Sequence, residues 1–152
     1  MPEPARREDT VLAFDFGTRR IGVAVGECRA GTAAALQTIA TEANDARFAA
    51  IGALIAEWQP ARLVVGQPLN EDGTPHEMTA RCERFAHQLR GRFGLPVELV
   101  DERFSSLEAE RQLKAPSRPR RLSGWQARKQ QLDAEAARVI LESWMESHAR
   151  AA

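Results

Sequence analysis

Three carboxylates stand where the surrounding pattern has little use for a charge. Asp15 closes the apolar run Val11-Leu12-Ala13-Phe14. Glu102 sits just past the strand-like segment 97–100. Asp133 falls on the same helical face as Ala136, Ala137, Ile140, Leu141 and Trp144, the stripe that must pack against the rest of the chain. Each acid alone has an ordinary alternative. Asp15 could cap a turn, Glu102 could be a solvated glutamate, and Asp133 could cap its helix with its side chain turned back to the backbone. A buried carboxylate must be paired, hydrogen-bonded or metal-bound. Strand ends of a mixed α/β sheet gather at one edge, and three acids gathered there would repel one another unless a hard cation neutralised them. Oxygen donors with a phosphate as co-ligand describe a magnesium or manganese site, whose chemistry is attack of an activated water on a phosphodiester. His76, His87 and His148 show no ligand spacing.

The elements that would carry these acids can be read in order. The run ending at Asp15 is a buried strand, residues 21–25 form a second strand after a short polar turn, and residues 33–39 form a weaker third. Phe48, Ile51, Ile55 and Trp58 mark one face of a helix that Pro60 ends. Leu63-Val64-Val65-Gly66 is a short buried strand. Thr74, Pro75 and Glu77 form a capping box that should open the next helix, with Met78, Cys82, Phe85 and Leu89 as its apolar stripe and Gly94 as its stop. Residues 97–100 make the fifth strand. Ser105 and Glu108 form another capping box before a loop marked by Pro116 and Pro119, and the helix of Asp133 comes last. This order predicts an α/β domain with a five-stranded mixed sheet flanked by helices, as in ribonuclease-H-like folds. The expected organisation is a disordered lead over 1–9, one domain over 10–146 and a tail over 147–152.

Composition narrows the class. Hydrophobic residues make up 43% and charged residues 28%, a globular balance with no run long enough for a membrane span. The N-terminus lacks an apolar signal-peptide core, and Cys28 and Cys82 suit no ligand spacing, so a cytoplasmic protein is expected. The formal net charge is zero, yet between Arg111 and Leu132 there is no acid and seven basic residues. That tract is either a solvated loop or a phosphate-binding surface. Arg118, Arg120 and Arg121, with Arg19, Arg20 and Arg103 beside the acids, are the candidate nucleic-acid contacts. The apolar residues are largely absorbed by internal stripes, which predicts a monomer. Trp125 is left over, as a base-stacking platform, a dimer contact or a residue tucked against the last helix.

At these residues the chain closely resembles the YqgF family, also called RuvX, of pre-16S ribosomal RNA nucleases related to Holliday-junction resolvases. The likeness rests on Ala13-Phe-Asp-Phe-Gly-Thr-Arg-Arg-Ile-Gly-Val-Ala24, Val64-Val-Gly-Gln-Pro-Leu-Asn-Glu-Asp-Gly-Thr74, Val100-Asp-Glu-Arg-Phe-Ser-Ser106 and Asp133-Ala-Glu-Ala-Ala137, in the family's order. Gln67 and Phe104 stand where leucine is common. The resemblance implies a ribonuclease-H-like nuclease with Asp15, Glu102 and Asp133 as catalytic magnesium or manganese ligands. It also implies pre-16S rRNA as partner, with structured DNA as the alternative. Two rivals come from other classes. An actin-like ATPase would use Asp15-Phe-Gly-Thr18 as a phosphate loop, but it needs a second domain that 152 residues cannot supply. A non-catalytic RNA-binding or assembly module would keep the acids for structure.

Overall fold

A computed structural model of the chain describes residues 7–68, 77–102 and 124–151. Its elements are β1 (Arg7–Phe16), β2 (Ile21–Glu27), β3 (Thr32–Ile39), α1 (Asn44–Trp58), β4 (Pro60–Pro68), α2 (Thr79–Phe93), β5 (Val97–Glu102) and α3 (Gly124–Ala151). The five strands form one sheet in the order β3-β2-β1-β4-β5. The β1–β2 and β2–β3 pairs are antiparallel, and β4 runs parallel to both β1 and β5. The expected mixed α/β sheet is therefore the one observed. β1 reaches back to Arg7, inside the stretch expected to be a lead, because Arg7 pairs with Pro60 at the start of β4. Similarly, α3 runs on to Ala151, through most of the expected tail.

Strand alternation sorts the core into two layers. Leu12 and Phe14 of β1, Val23 of β2, Leu63 and Val65 of β4 and Val97 of β5 join Phe48, Ile51, Phe85 and Leu89 of α1 and α2 in the larger layer. Val11 and Ala13, Ala24 and Val64 face Ala137, Ile140, Leu141 and Trp144 of α3. Burying each large aliphatic or aromatic side chain here stabilises the fold by about 1.5–3 kcal/mol before entropy is counted. α1 buries Arg47, Phe48, Ile51 and Leu54, and Ile55 and Trp58 pack partly covered against the same layer, so the expected stripe is observed and is widened by Arg47 and Leu54. Gln59 caps it in the left-handed region at φ 48°, and Pro60 starts the next strand. Gly94, at φ 66°, ends α2 as expected.

The start of α2 differs from expectation. Glu77 and Met78 form a turn and the helix begins at Thr79, so the box built on Thr74 and Glu77 does not open it. Thr79 Oγ1 instead donates to the Pro68 carbonyl at 2.6 Å, tying the helix start to the end of β4. This anchor, to a residue eleven positions back, lies beyond the reach of a local capping box. Thr74 itself, and the Ser105–Glu108 box, lie outside the described residues.

What positions α3 is a row of glycines beneath it. A Cβ on Gly22 would lie 1.8 Å from the Asp133 carbonyl oxygen, one on Gly26 2.6 Å from Met145 Cε, and one on Gly66 2.4 Å from Ile140 Cδ1. Glycine inside a strand often marks such a close approach. Further along, Glu98 of β5 accepts from Trp144 Nε1 at 3.2 Å and pairs with Arg62 of β4, and His148 Nε2 lies 3.3 Å away. Burial alone would raise the Glu98 pKa. The Trp144 and Arg62 hydrogen bonds, with the His148 and Arg62 charges, more than offset it and hold the carboxyl below its ordinary 4.5.

Two outcomes follow from this docking. Gly22→Ala sets side chain against backbone and should cost about 3 kcal/mol in urea unfolding, whereas Gly66→Ala meets a movable methyl and should cost about 1 kcal/mol. Ile140→Val should relieve the second change and not the first. The lowered Glu98 pKa adds stability at neutral pH that is lost as pH falls through the folded-state value, below 4.5. Glu98→Gln should therefore cost up to about 1 kcal/mol at pH 7 and flatten stability against pH below that value, read by unfolding across a pH series.

Candidate active site

The C-terminal ends of β1, β4 and β5 lie at one edge of the sheet, because the three run parallel. Asp15 is the penultimate residue of β1 and takes the same face as Val11 and Ala13, towards α3. Its antiparallel partner across the ladder is Gly22. Gly22 is also the residue on which the Asp133 backbone rests. One glycine thus seats two of the three sequence-predicted acids side by side, from positions far apart in the chain. Both are partly buried, and both engage other groups. Asp133 lies well inside α3, which begins at Gly124, so it does not cap that helix.

Glu102 is the last residue of β5 and pairs with Pro68 at the end of β4. Its backbone therefore reaches the same edge; its side chain lies outside the described set. Among the described residues no three His, Cys, Asp or Glu side chains form a group able to hold a metal ion. The two described acids offer only hard oxygen donors, the set that suits magnesium or manganese rather than zinc or copper.

The turn joining β1 to β2 supplies the cation beside these acids. Gly17 allows it to be tight: a Cβ there would lie 2.6 Å from the Arg20 carbonyl oxygen. Arg20 Nε then donates to Asp133 Oδ2 at 2.5 Å, in a pair with side-chain exposures of 30% and 24%. Arg20, expected to hold phosphate, is in this structure the partner of an active-edge carboxylate. Arg19 is exposed in the same turn. Arg103, Arg118, Arg120 and Arg121 lie outside the described residues. Arg128 and Lys129 are on α3, so the basic tract is helical from Gly124 onward. Trp125 is also on α3, and its side chain is not among those described.

Sequence reasoning missed the Arg20–Asp133 pair and the role of Gly22. The first joins residues 113 positions apart, which no local pattern can reveal. The second had a signal, a glycine in the middle of an apolar strand. It missed Arg47 too, a 4% exposed cation on the core face of α1. Its Nε donates to the Thr41 carbonyl at 2.6 Å and its terminal nitrogen to the Thr18 carbonyl at 2.7 Å. That clamps the β1–β2 turn to the segment before α1. No helix among the described residues is long and apolar enough to cross a membrane.

Comparison with known proteins agrees with this architecture. A protein of Burkholderia lata named "Putative pre-16S rRNA nuclease" is 52% identical over 146 residues, covering 96% of this chain and 95% of its own. One of the same name from Burkholderia multivorans is 51% identical with the same coverage. Among solved structures, T. thermophilus RuvC in complex with a Holliday junction substrate matches at a TM-score of 0.52 and 16% identity, over 94% of this chain and 97% of that one. At that identity the likeness is one of fold, and the fold is ribonuclease-H-like. A family model described as "RuvX: Holliday junction resolvase" matches residues 9–147, and the chain belongs to that family.

Proposed function

We propose that this protein is a metal-dependent nuclease that hydrolyses phosphodiester bonds, with Asp15, Glu102 and Asp133 holding magnesium or manganese at the sheet edge. The observation that carries the reading is the seating of Asp133 on Gly22, the cross-strand partner of Asp15, with the Arg20 guanidinium on the Asp133 carboxylate. Two acids from opposite parts of the chain are brought to one edge at the cost of a glycine in a core strand. A bound divalent ion would lower the pKa of a water and offset the charge that develops on the phosphate. The chain's own part is to fix the acids, exclude other geometries and hold Asp133 through Arg20 before an ion binds.

The substrate we favour is RNA, specifically the precursor of 16S ribosomal RNA, because relatives more than half identical carry that name. Resolution of a DNA junction is the second reading, supported by the family description. It demands two active sites related by a two-fold axis. We assign the protein to the cytoplasm as a monomer, with Arg19, Arg20, Arg103, Arg118, Arg120 and Arg121 facing the nucleic acid. Depletion should leave 16S precursors with an extended 5′ end. Symmetric junction cutting by a tight dimer, with normal 16S ends in depleted cells, would favour the second reading.

Asp15→Asn, Glu102→Gln and Asp133→Asn should each reduce cleavage by 100-fold or more, on the order of 3 kcal/mol in the barrier, and leave the circular dichroism spectrum unchanged. Full activity in any of them, or in excess chelator, removes that residue from the site. Arg20→Gln separates the counter-ion from the ligands. If the guanidinium competes with the ion for Asp133 by about 1 kcal/mol, its removal should tighten manganese binding about fivefold in calorimetry. It should also lower metal-free stability. Unchanged manganese affinity would make Arg20 a bystander.

A further inference from the structure

On the face of the sheet opposite α3, the same edge opens into a cleft of about 500 Å³ between the first turns of α1 and α2. Among the described residues its polar lining comes from Thr18, Glu42, Asn44 and Arg47 on one side and Arg81, Arg84 and Gln88 on the other. Three guanidinium groups thus meet one carboxylate among the described residues of the lining. Arg47 is 4% exposed and is held by two neutral carbonyls and by the Phe16 ring, 5.5 Å from its Cζ. Among the described residues no carboxylate forms an ion pair with it. Glu42 is exposed. Burial lowers the Arg47 pKa from its ordinary value and outweighs the attraction of Glu42, the acid on the cleft wall whose charge acts on it, so the surrounding groups offset only part of the cost of burying this cation. Arg81 and Arg84 are exposed on successive turns of α2 and have no ion pair or hydrogen bond among the described residues. Asn44 and Gln88 add neutral amide donors.

A guanidinium cluster with amide donors, and one acid among the described lining residues, is chemistry for a phosphate, whose oxygens accept several N–H bonds at once. The cleft also lies beside the candidate active site. Phe16, which lines it, directly follows Asp15 in β1, and alternate strand positions point to opposite faces. We propose that this cleft is a second phosphate-binding site, taking a backbone or terminal phosphate of a polynucleotide strand that crosses the sheet edge. Arg81 and Arg84 make the contacts, and Arg47 supplies a fixed positive charge behind them. The identity of the ligand rests on the nuclease reading; the anion site itself does not.

The test uses the full chain in chelator, so that no strand is cut. Binding of single-stranded oligoribonucleotides, with a 5′-hydroxyl or a 5′-phosphate, is followed by fluorescence anisotropy across a salt series. In the double variant Arg81→Gln/Arg84→Gln both contacts are lost, and the slope of log affinity against log salt should fall by about 1.4, that is 0.7 for each. Equal loss with both oligonucleotides identifies a backbone phosphate, and loss with the 5′-phosphate alone a terminal one. An unchanged slope and affinity, in a protein that binds the strand, overturns the proposal. Inorganic pyrophosphate reads the cleft without nucleic acid. Titrating it should shift the Arg47 Nε–H resonance saturably in the native chain and not in the double variant. A native chain that binds pyrophosphate in this way but no oligonucleotide would overturn the polynucleotide strand as the ligand and leave the anion site standing.

Discussion

The contact on which the candidate site depends is one of backbone with backbone. The Asp133 carbonyl oxygen occupies space that any side chain on Gly22 would need. Helices normally rest on sheets through their side chains, so a main-chain contact sets a separation that larger residues cannot reproduce. The small residues continue on both sides: Gly26 and Gly66 below, Ala134, Ala136 and Ala137 above, the alanines all buried. Only after this stripe does α3 bring large side chains to the sheet, with Ile140, Leu141 and Trp144. Of the three glycine contacts, the one at Asp133, where the parallel strands finish, is the one made by helix backbone rather than by a side chain. Moving the helix outward by one methyl group would separate Asp133 from both Asp15 and Arg20, although the apolar layer further along could still pack.

Electrostatics then decides what can sit at that edge. Two acids on neighbouring elements repel, and the fold brings in a cation from the turn between β1 and β2 to offset the repulsion. That turn is itself fixed from the other face of the sheet, since Arg47 donates to the Thr18 carbonyl. The chain of support therefore passes through the sheet: α1 holds the turn, the turn holds Arg20, and Arg20 holds an acid on α3. A counter-ion carried on a turn can be exchanged for a metal more readily than one buried in a helix interface, because releasing it disturbs no core contact.

The parts of this arrangement legible in the sequence are those written in local patterns. The strand ending at Asp15, the stop at Gly94 and the apolar stripe of α3 with Asp133 on it all come from periodicity and turn chemistry within a few residues. The start of α2 differs because the Thr74–Glu77 pattern is a good local box, yet Thr79 finds its partner in Pro68, eleven residues back at the end of β4. The stripe of α1 is legible, but its full width is not, for a related reason. A charge at position 47 argues for solvent, whereas two carbonyls and the Phe16 ring make burial tolerable. Asp15 and Asp133 could be nominated from their settings, but their juxtaposition rests on a strand register and a glycine contact that exist only in three dimensions.

The two faces of the sheet also differ in what they leave open. Against α3 the packing is close and small, so it excludes everything except the groups at the strand ends. Against α1 and α2 it is largely aliphatic, with an aromatic cluster at the strand end, where Phe85 meets Phe14, Phe16 and Phe48 at centroid distances of 4.7–6.0 Å. Rings of that size hold the first turns of α1 and α2 apart and leave a cleft between them. Asp15 and Phe16 are neighbours on one strand, and alternation sends the first to the close face and the second to the open one. A single β-strand end therefore joins an acidic edge suited to cations with an arginine-lined cleft suited to anions. A polyanion cut at the edge would need both kinds of surface, since the acids that bind an ion also repel the strand that the ion must meet.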